Sequence, residues 1–311
     1  MRRVQVLALA LVSLAGLTGC MVQASRDFSL TVPWQPYERL VIRTHNGRVT
    51  LAVADVAEVR VDAQTCVRAS DYHQAEGYLY QIEVLARADD KDARTLVVEL
   101  RVPAALSTLS PGSALSITVP APCAADIDTS NGAISVADMR SRVAARTSNG
   151  AIEIHDVDGT VTATTHNGRI DVHAVRGDVA AKTSNGAVVL RDILGACQVE
   201  TANGSIEIVS HEGDVHAATS NGAVHDVAAP PDEGAVVART SNGQIRLVLP
   251  RTMTARLSLR AGNGHVNLNT LDVVADIKRR EREFVRGTLN GGGAGEILAE
   301  TTNGSVTVDF R

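Results

Sequence analysis

Asn-Gly pairs fall at Asn131, Asn149, Asn167, Asn185, Asn203 and Asn221, and every step between them is 18 residues. A fixed short period constrains the fold more than any other feature of this chain, because each unit is too small to bury its own apolar face and must stack on its neighbours. Aligned on Asn, the third following residue is Ile134, Ile152, Ile170, Val188, Ile206 or Val224, and two further on come Val136, Ile154, Val172, Leu190 and Ile208. Mostly polar residues such as Ser135, Glu153, Asp171 and Glu207 alternate with them. That is the period-two pattern of a strand with one face inward.

A second strand closes each unit. Val143, Val161, Val179, Cys197 and Val215 form one column, and Ala145, Ala163, Ala181, Val199 and Ala217 form the next. A Thr column at 147, 165, 183, 201 and 219 then leads back to Asn-Gly, and Gly159, Gly177, Gly195 and Gly213 mark the turn between the two strands. The expected fold is all-β: a parallel β-solenoid, single-stranded and β-helix-like, with 18-residue coils. Asn and Gly tolerate positive φ and so suit its corners, while stacked Thr and Asn side chains form ladders. Asn-Gly is also a hairpin signal, so an antiparallel meander is the alternative topology. The constant column chemistry favours the solenoid, since a meander has no need of one residue type every 18 positions. Apolar residues make up 44% of the chain and aromatics only 3%, and this aliphatic bias favours strands over a helical domain.

The period breaks at both ends. Asp226 takes the place of an aliphatic residue, Pro230-Pro231 follows, and the step to Asn242 lengthens. The predicted organisation is residues 1–20 as a signal, 21–128 as tether and irregular N-terminal cap, 129–249 as the regular solenoid and 250–311 as less regular coils with a terminal cap. Within the N-terminal cap, strand alternation is expected at 59–63, 96–102 and 115–119, and a short helix at 71–80. The charged run Lys278-Arg279-Arg280-Glu281-Arg282-Glu283 reads as a solvated loop or helix face, and Gly291-Gly292-Gly293-Ala294-Gly295 as a loop.

Arg2 and Arg3 precede an apolar run from Val4 to Leu17, which is too short for a membrane-spanning helix and has the layout of a targeting signal. Its ending, Leu17-Thr18-Gly19-Cys20, resembles the lipobox of bacterial lipoprotein signals. The resemblance implies cleavage before Cys20, acylation of the Cys20 thiol, and a cell-envelope protein held to the membrane by lipid. Met21 rather than Asp follows, which favours the outer membrane. The formal charge is already -5, and removing residues 1–20 takes away two arginines and no acid, so nucleic acid is not an expected partner. Of the remaining thiols, Cys66 and Cys123 lie outside the regular repeats and are the one pair considered for a disulfide, a pairing that sequence alone does not establish.

The T-x-N-G-x-[IV]-x-[IV] units behind a lipoprotein signal resemble the bacterial putative-adhesin family of β-strand-repeat proteins. The matching units run from Arg43 to Val49, Thr129 to Leu249 and Thr301 to Val308. The resemblance implies a β-repeat fold and an adhesin-like role with a protein or other envelope partner; it supplies no catalytic residues. The chain reads as a non-enzymatic interaction or structural scaffold, with no catalytic, cofactor-binding or metal residue assigned, since no nucleophile, base and orienting group recur at useful spacing. A glycan-binding or metal-binding envelope protein is the alternative, and a polysaccharide-processing β-helix enzyme a more distant one. Between 129 and 249 there is no aromatic residue to stack on a sugar. Glu153, His155, Asp171 and His173 lie on outward faces of adjacent coils, a set that could suit Zn²⁺; it reads instead as an exposed polar ladder.

Overall fold

The computed structural model describes residues 12–15, 22–109, 111–228, 233–271 and 273–311. They form two compact units, Met1–Glu153 and Ile154–Arg311. Each is a stack of short coils in which one strand of every coil joins one sheet and the other strand joins the facing sheet. The parallel solenoid is therefore the observed topology.

In the second unit the register is the one the repeat demands. Val179 pairs with Cys197, Cys197 with Val215, and Val215 with Val236, all in parallel strands. In the facing sheet Ile170 pairs with Val188, Val188 with Ile206, and Ile206 with Val224. The inward columns are buried without exception: Val172, Leu190, Ile208, Val199 and Val215 are all at 0% exposure. Each buried Val, Ile or Leu contributes about 1.5–3 kcal/mol, so stacked aliphatic columns supply the cohesion that no single 18-residue coil could.

Glycine is needed at the Asn-Gly corner for a reason other than the expected positive φ. A Cβ on Gly204 would lie 1.9 Å from the Gly186 carbonyl oxygen, and one on Gly222 would lie 1.9 Å from that of Gly204. Successive coils approach so closely at this corner that no side chain fits. The left-handed backbone occurs elsewhere, at Asp138, Asp156, Ala174, Asp192 and Ser210, with φ between 55° and 60°. These residues form a further 18-residue column, and Asp and Ser tolerate this conformation through short polar side chains.

The last coils are stacked out of sequence order. Gly295–Asn303 lies between Ala235–Asn242 and Ala255–Asn263, parallel to both, and Val306–Phe310 lies between Ile245–Leu249 and Val266–Leu268. The charged run is exposed throughout but only partly a loop: Lys278, Arg279 and Arg280 belong to the edge strand Ala275–Arg280, antiparallel to Phe284–Leu289, and Glu281, Arg282 and Glu283 form the loop between the two strands. Basic side chains on an edge discourage pairing with another chain. The glycine run is a loop, with positive φ at Gly291, Gly292 and Gly293.

In the first unit, Arg39–Arg43 stacks on Ala124–Asn131 and Gly47–Val53 on Ile134–Ala137. The chain between them is inserted as a cap. It contributes the strands Glu58–Ala69, Thr95–Arg101 and Gly112–Val119 where strand alternation was expected. The predicted helix is Tyr72–Leu79, N-capped by Asp71, whose Oδ1 accepts from the Gln74 N–H at 2.9 Å. Val22–Pro33 completes the cap, antiparallel to Glu58–Ala69. Of the expected signal, Val12–Ala15 is a short strand beside Gln23–Arg26; Cys20 lies outside the described residues.

Candidate functional site

The repeated polar residues of the corner bond to one another. Thr183 Oγ1 donates to the Gly168 carbonyl at 3.2 Å, Thr201 to Gly186 at 3.1 Å and Thr219 to Gly204 at 3.0 Å, each buried against the coil before it. The Thr column thus bonds to backbone, while the Asn column is a true ladder. Asn185 Nδ2 donates to Asn167 Oδ1, Asn203 to Asn185, Asn221 to Asn203 and Asn242 to Asn221, all at 2.8 Å. Asn303 continues to Asn242, and Asn263 to Asn303, at 2.7 Å, following spatial rather than sequence order. In the first unit Asn131 donates to Asn46 at 2.7 Å across 85 residues of sequence. Such bonds contribute about 1 kcal/mol each, and together they fix the register.

The outward histidines meet as the repeat implies. The rings of His155 and His173 are stacked, with centroids 5.2 Å apart and planes 8° from parallel. Asp171 is engaged elsewhere, its Oδ2 accepting from Arg169 at 2.8 Å, while Asp156 Oδ2 faces His155 Nδ1 at 2.9 Å. Glu153 is exposed on the strand Ile152–Asp158. Among the described residues no group of three His, Cys, Asp or Glu side chains is placed to hold a metal ion. The arrangement is a surface ladder of stacked rings and ion pairs.

One polar pair lies deep in the core of the second unit. His211 and Asp226 have side-chain exposures of 0% and 1%, with Nε2 and Oδ1 2.9 Å apart. His211 Nδ1 faces the Gly213 carbonyl at 3.1 Å; that oxygen can only accept, so Nδ1 carries a hydrogen. Asp226 Oδ2 is buried with no partner. Asp226 sits between Ile208 and Leu247 in its column, and His211 lies beside Ile193. The Asp226 interruption was visible in the sequence. Its partner was not, because His211 lies in a column that the repeat alignment did not follow, where the preceding coils carry Val157, Val175 and Ile193.

The cysteines Cys66, Cys123 and Cys197 are free thiols. The considered pair is not joined: Cys66 is on a strand of one sheet, paired opposite Gly112, and Cys123 precedes Ala124–Asn131 of the other. Burial pushes the Cys123 thiol up to about 12. Burial, with Asp226 and Asp178 nearby, does the same to Cys197. Both are inert hydrophobes at neutral pH.

Residues 37–309 match the family described as Toastrack DUF4097. The chain belongs to that family. The Toastrack chain is also similar to three crystal structures at low identity. One is of a putative adhesin from Bacteroides fragilis, at 12% identity and a TM-score of 0.41, covering 92% of this chain and 97% of that one. Another is of a putative adhesin from Parabacteroides distasonis, at 8% and 0.32, with 92% and 97% covered. The third is of a putative cell adhesion protein from Clostridium sporogenes, at 11% and 0.25, with 92% and 100% covered. No curated protein matches the sequence. Among the described residues of this Toastrack protein, no helix is long and apolar enough to cross a membrane.

Proposed function

We propose that this Toastrack protein is a non-enzymatic, adhesin-like scaffold of the cell envelope, lipid-anchored through Cys20 and placed at the outer membrane. The observation that supports it best is the use made of the repeated polar residues. Thr hydroxyls bond to Gly carbonyls and Asn amides to Asn amides along the stack, so the motif that dominates the chain maintains a regular surface instead of converging on a reacting atom. The adhesin names of the similar crystal structures point the same way. The arginines, apolar run and Leu-Thr-Gly-Cys ending at the N-terminus support the anchor.

The test is the Cys20→Ala variant, followed by membrane fractionation and intact mass. The expected result is release from the membrane fraction and loss of the acyl mass. Unchanged fractionation together with unchanged mass would remove lipid anchoring from the proposal. Crosslinking in intact cells, followed by capture of the protein, tests the scaffold role: the expected product is a covalent complex with a specific envelope component. Recovery of uncrosslinked protein alone would count against it.

A further inference from the structure

The outer face of the antiparallel corner in the second unit carries arginines packed closer than a folded surface favours. Arg279 stands directly opposite Arg286, and Arg286 directly opposite Ser258. Arg256 and Arg260 flank Ser258 at alternate positions of the same strand, so both point outward while Leu257 and Leu259 are buried. Directly opposite residues are about 5 Å apart, and diagonal ones about 7–8 Å. Arg286 therefore has three arginine neighbours on one face.

Like charges placed this way are destabilising, and compensation within the protein is incomplete. Arg279 is held by Glu281 at 2.7 Å and lies over the Phe284 ring at 5.3 Å. Among the described residues, Arg256, Arg260 and Arg286 have no carboxylate within ion-pair reach. Glu300, directly opposite Arg260, pairs instead with Arg239 at 3.3 Å.

Arg260 also belongs to a second feature. It lines an open groove of about 450 Å³ together with Arg239, Thr240, Ser241, Glu300 and Thr302. The guanidiniums thus continue into a groove that carries the exposed hydroxyls of Ser241 and Thr302. We propose that the arginine cluster and this groove together bind an acidic polysaccharide. The planar guanidiniums of Arg256, Arg260 and Arg286 clamp its carboxylate or phosphate oxyanions, and the exposed Ser241 and Thr302 meet its hydroxyls. A narrow chain fits better than a membrane surface, because Asp276 and Glu296 share the cross-strand row of Arg256, Glu296 directly opposite it, and would repel a broad anionic sheet. The inference rests on the reading of this protein as one that binds rather than transforms its partner.

The experiment measures binding of fluorescent oligogalacturonate to the full chain by anisotropy, with neutral dextran and polyglutamate as competitors. Oligogalacturonate should bind, more weakly as salt rises, and neither competitor should displace it at equal mass. The Arg260→Gln/Arg286→Gln variant should bind about tenfold more weakly with a melting temperature no lower than that of wild type, since both side chains are exposed and their mutual repulsion is relieved. Glu300→Gln, which frees Arg239, should bind more tightly, and Lys182→Gln, elsewhere on the same sheet, should behave as wild type. Absence of binding, or equal binding by the double-arginine variant, would overturn the site and leave the scaffold reading untouched. Displacement by dextran would overturn the need for charge, and displacement by polyglutamate would overturn the polysaccharide. Shortening of the oligomer during incubation would instead overturn the non-enzymatic reading while leaving the site in place.

Discussion

Replacing both members of the buried His211–Asp226 pair should harm the protein less than replacing either one. The two side chains are enclosed at 0% and 1% exposure, and their column neighbours Ile193, Ile208 and Leu247 are all at 0%. Removing one partner of such a pair leaves the other uncompensated in an apolar core, a loss of about 3–5 kcal/mol. Asp226 already has one unpartnered oxygen, so His211→Ala would leave its carboxylate with neither oxygen bonded. For a unit of this size each 1 kcal/mol shifts the melting temperature by about 2–4 °C, so each single alanine variant should melt about 6–20 °C lower. The double variant His211→Val/Asp226→Leu restores the side-chain type of both columns, and replacement of buried ion pairs by apolar residues is often neutral or stabilising by about 1–4 kcal/mol. Calorimetry or circular-dichroism melting of the four proteins forms a double-mutant cycle. Two results would refute the reasoning: a double variant as unstable as the singles, or single variants within about 0.5 kcal/mol of wild type.

Three further expectations follow from the coil. Ala174 holds φ at 55° in a column otherwise of Asp and Ser, so Ala174→Gly should raise stability by about 0.5–1 kcal/mol, the relief of a left-handed alanine less the flexibility gained by the unfolded chain; a drop in melting temperature would contradict this. Cysteines introduced at Gln198 and His216, register partners in adjacent coils, should form a disulfide on mild oxidation because their Cα atoms lie about 4.8 Å apart; non-reducing electrophoresis showing no bridge would count against the stacking. The native Cys123 and Cys197 thiols, raised from 9.0 to about 12, should resist alkylation at neutral pH until the protein unfolds. Because the folded state holds these protons more tightly, their contribution to stability should be complete below pH 9 and lost as the pH rises toward 12; a melting temperature unchanged across that window would show that neither thiol is buried as described.

The sequence alone specified the coil. Eighteen residues, two inward aliphatic columns and an Asn-Gly corner admit a parallel stack with Asn beside Asn, and the amide ladder has that form. It also located the outward histidines on adjacent coils. It did not specify the physical role of the corner glycine, because tolerance of positive φ and absence of a Cβ are the same property in a sequence; only the 1.9 Å approach of the Gly186 carbonyl to a Cβ built on Gly204 separates them. Nor could it order the coils. Every corner carries nearly the same residues, so Asn131 can stack on Asn46 across 85 positions, and Asn303 can enter between Asn242 and Asn263, without any change in local pattern. Tertiary packing decides which coil lies on which. That choice brings the strand carrying Glu300 beside those carrying Arg239 and Arg260, and long-range stacking, unlike the period of a strand, leaves no mark on neighbouring residues.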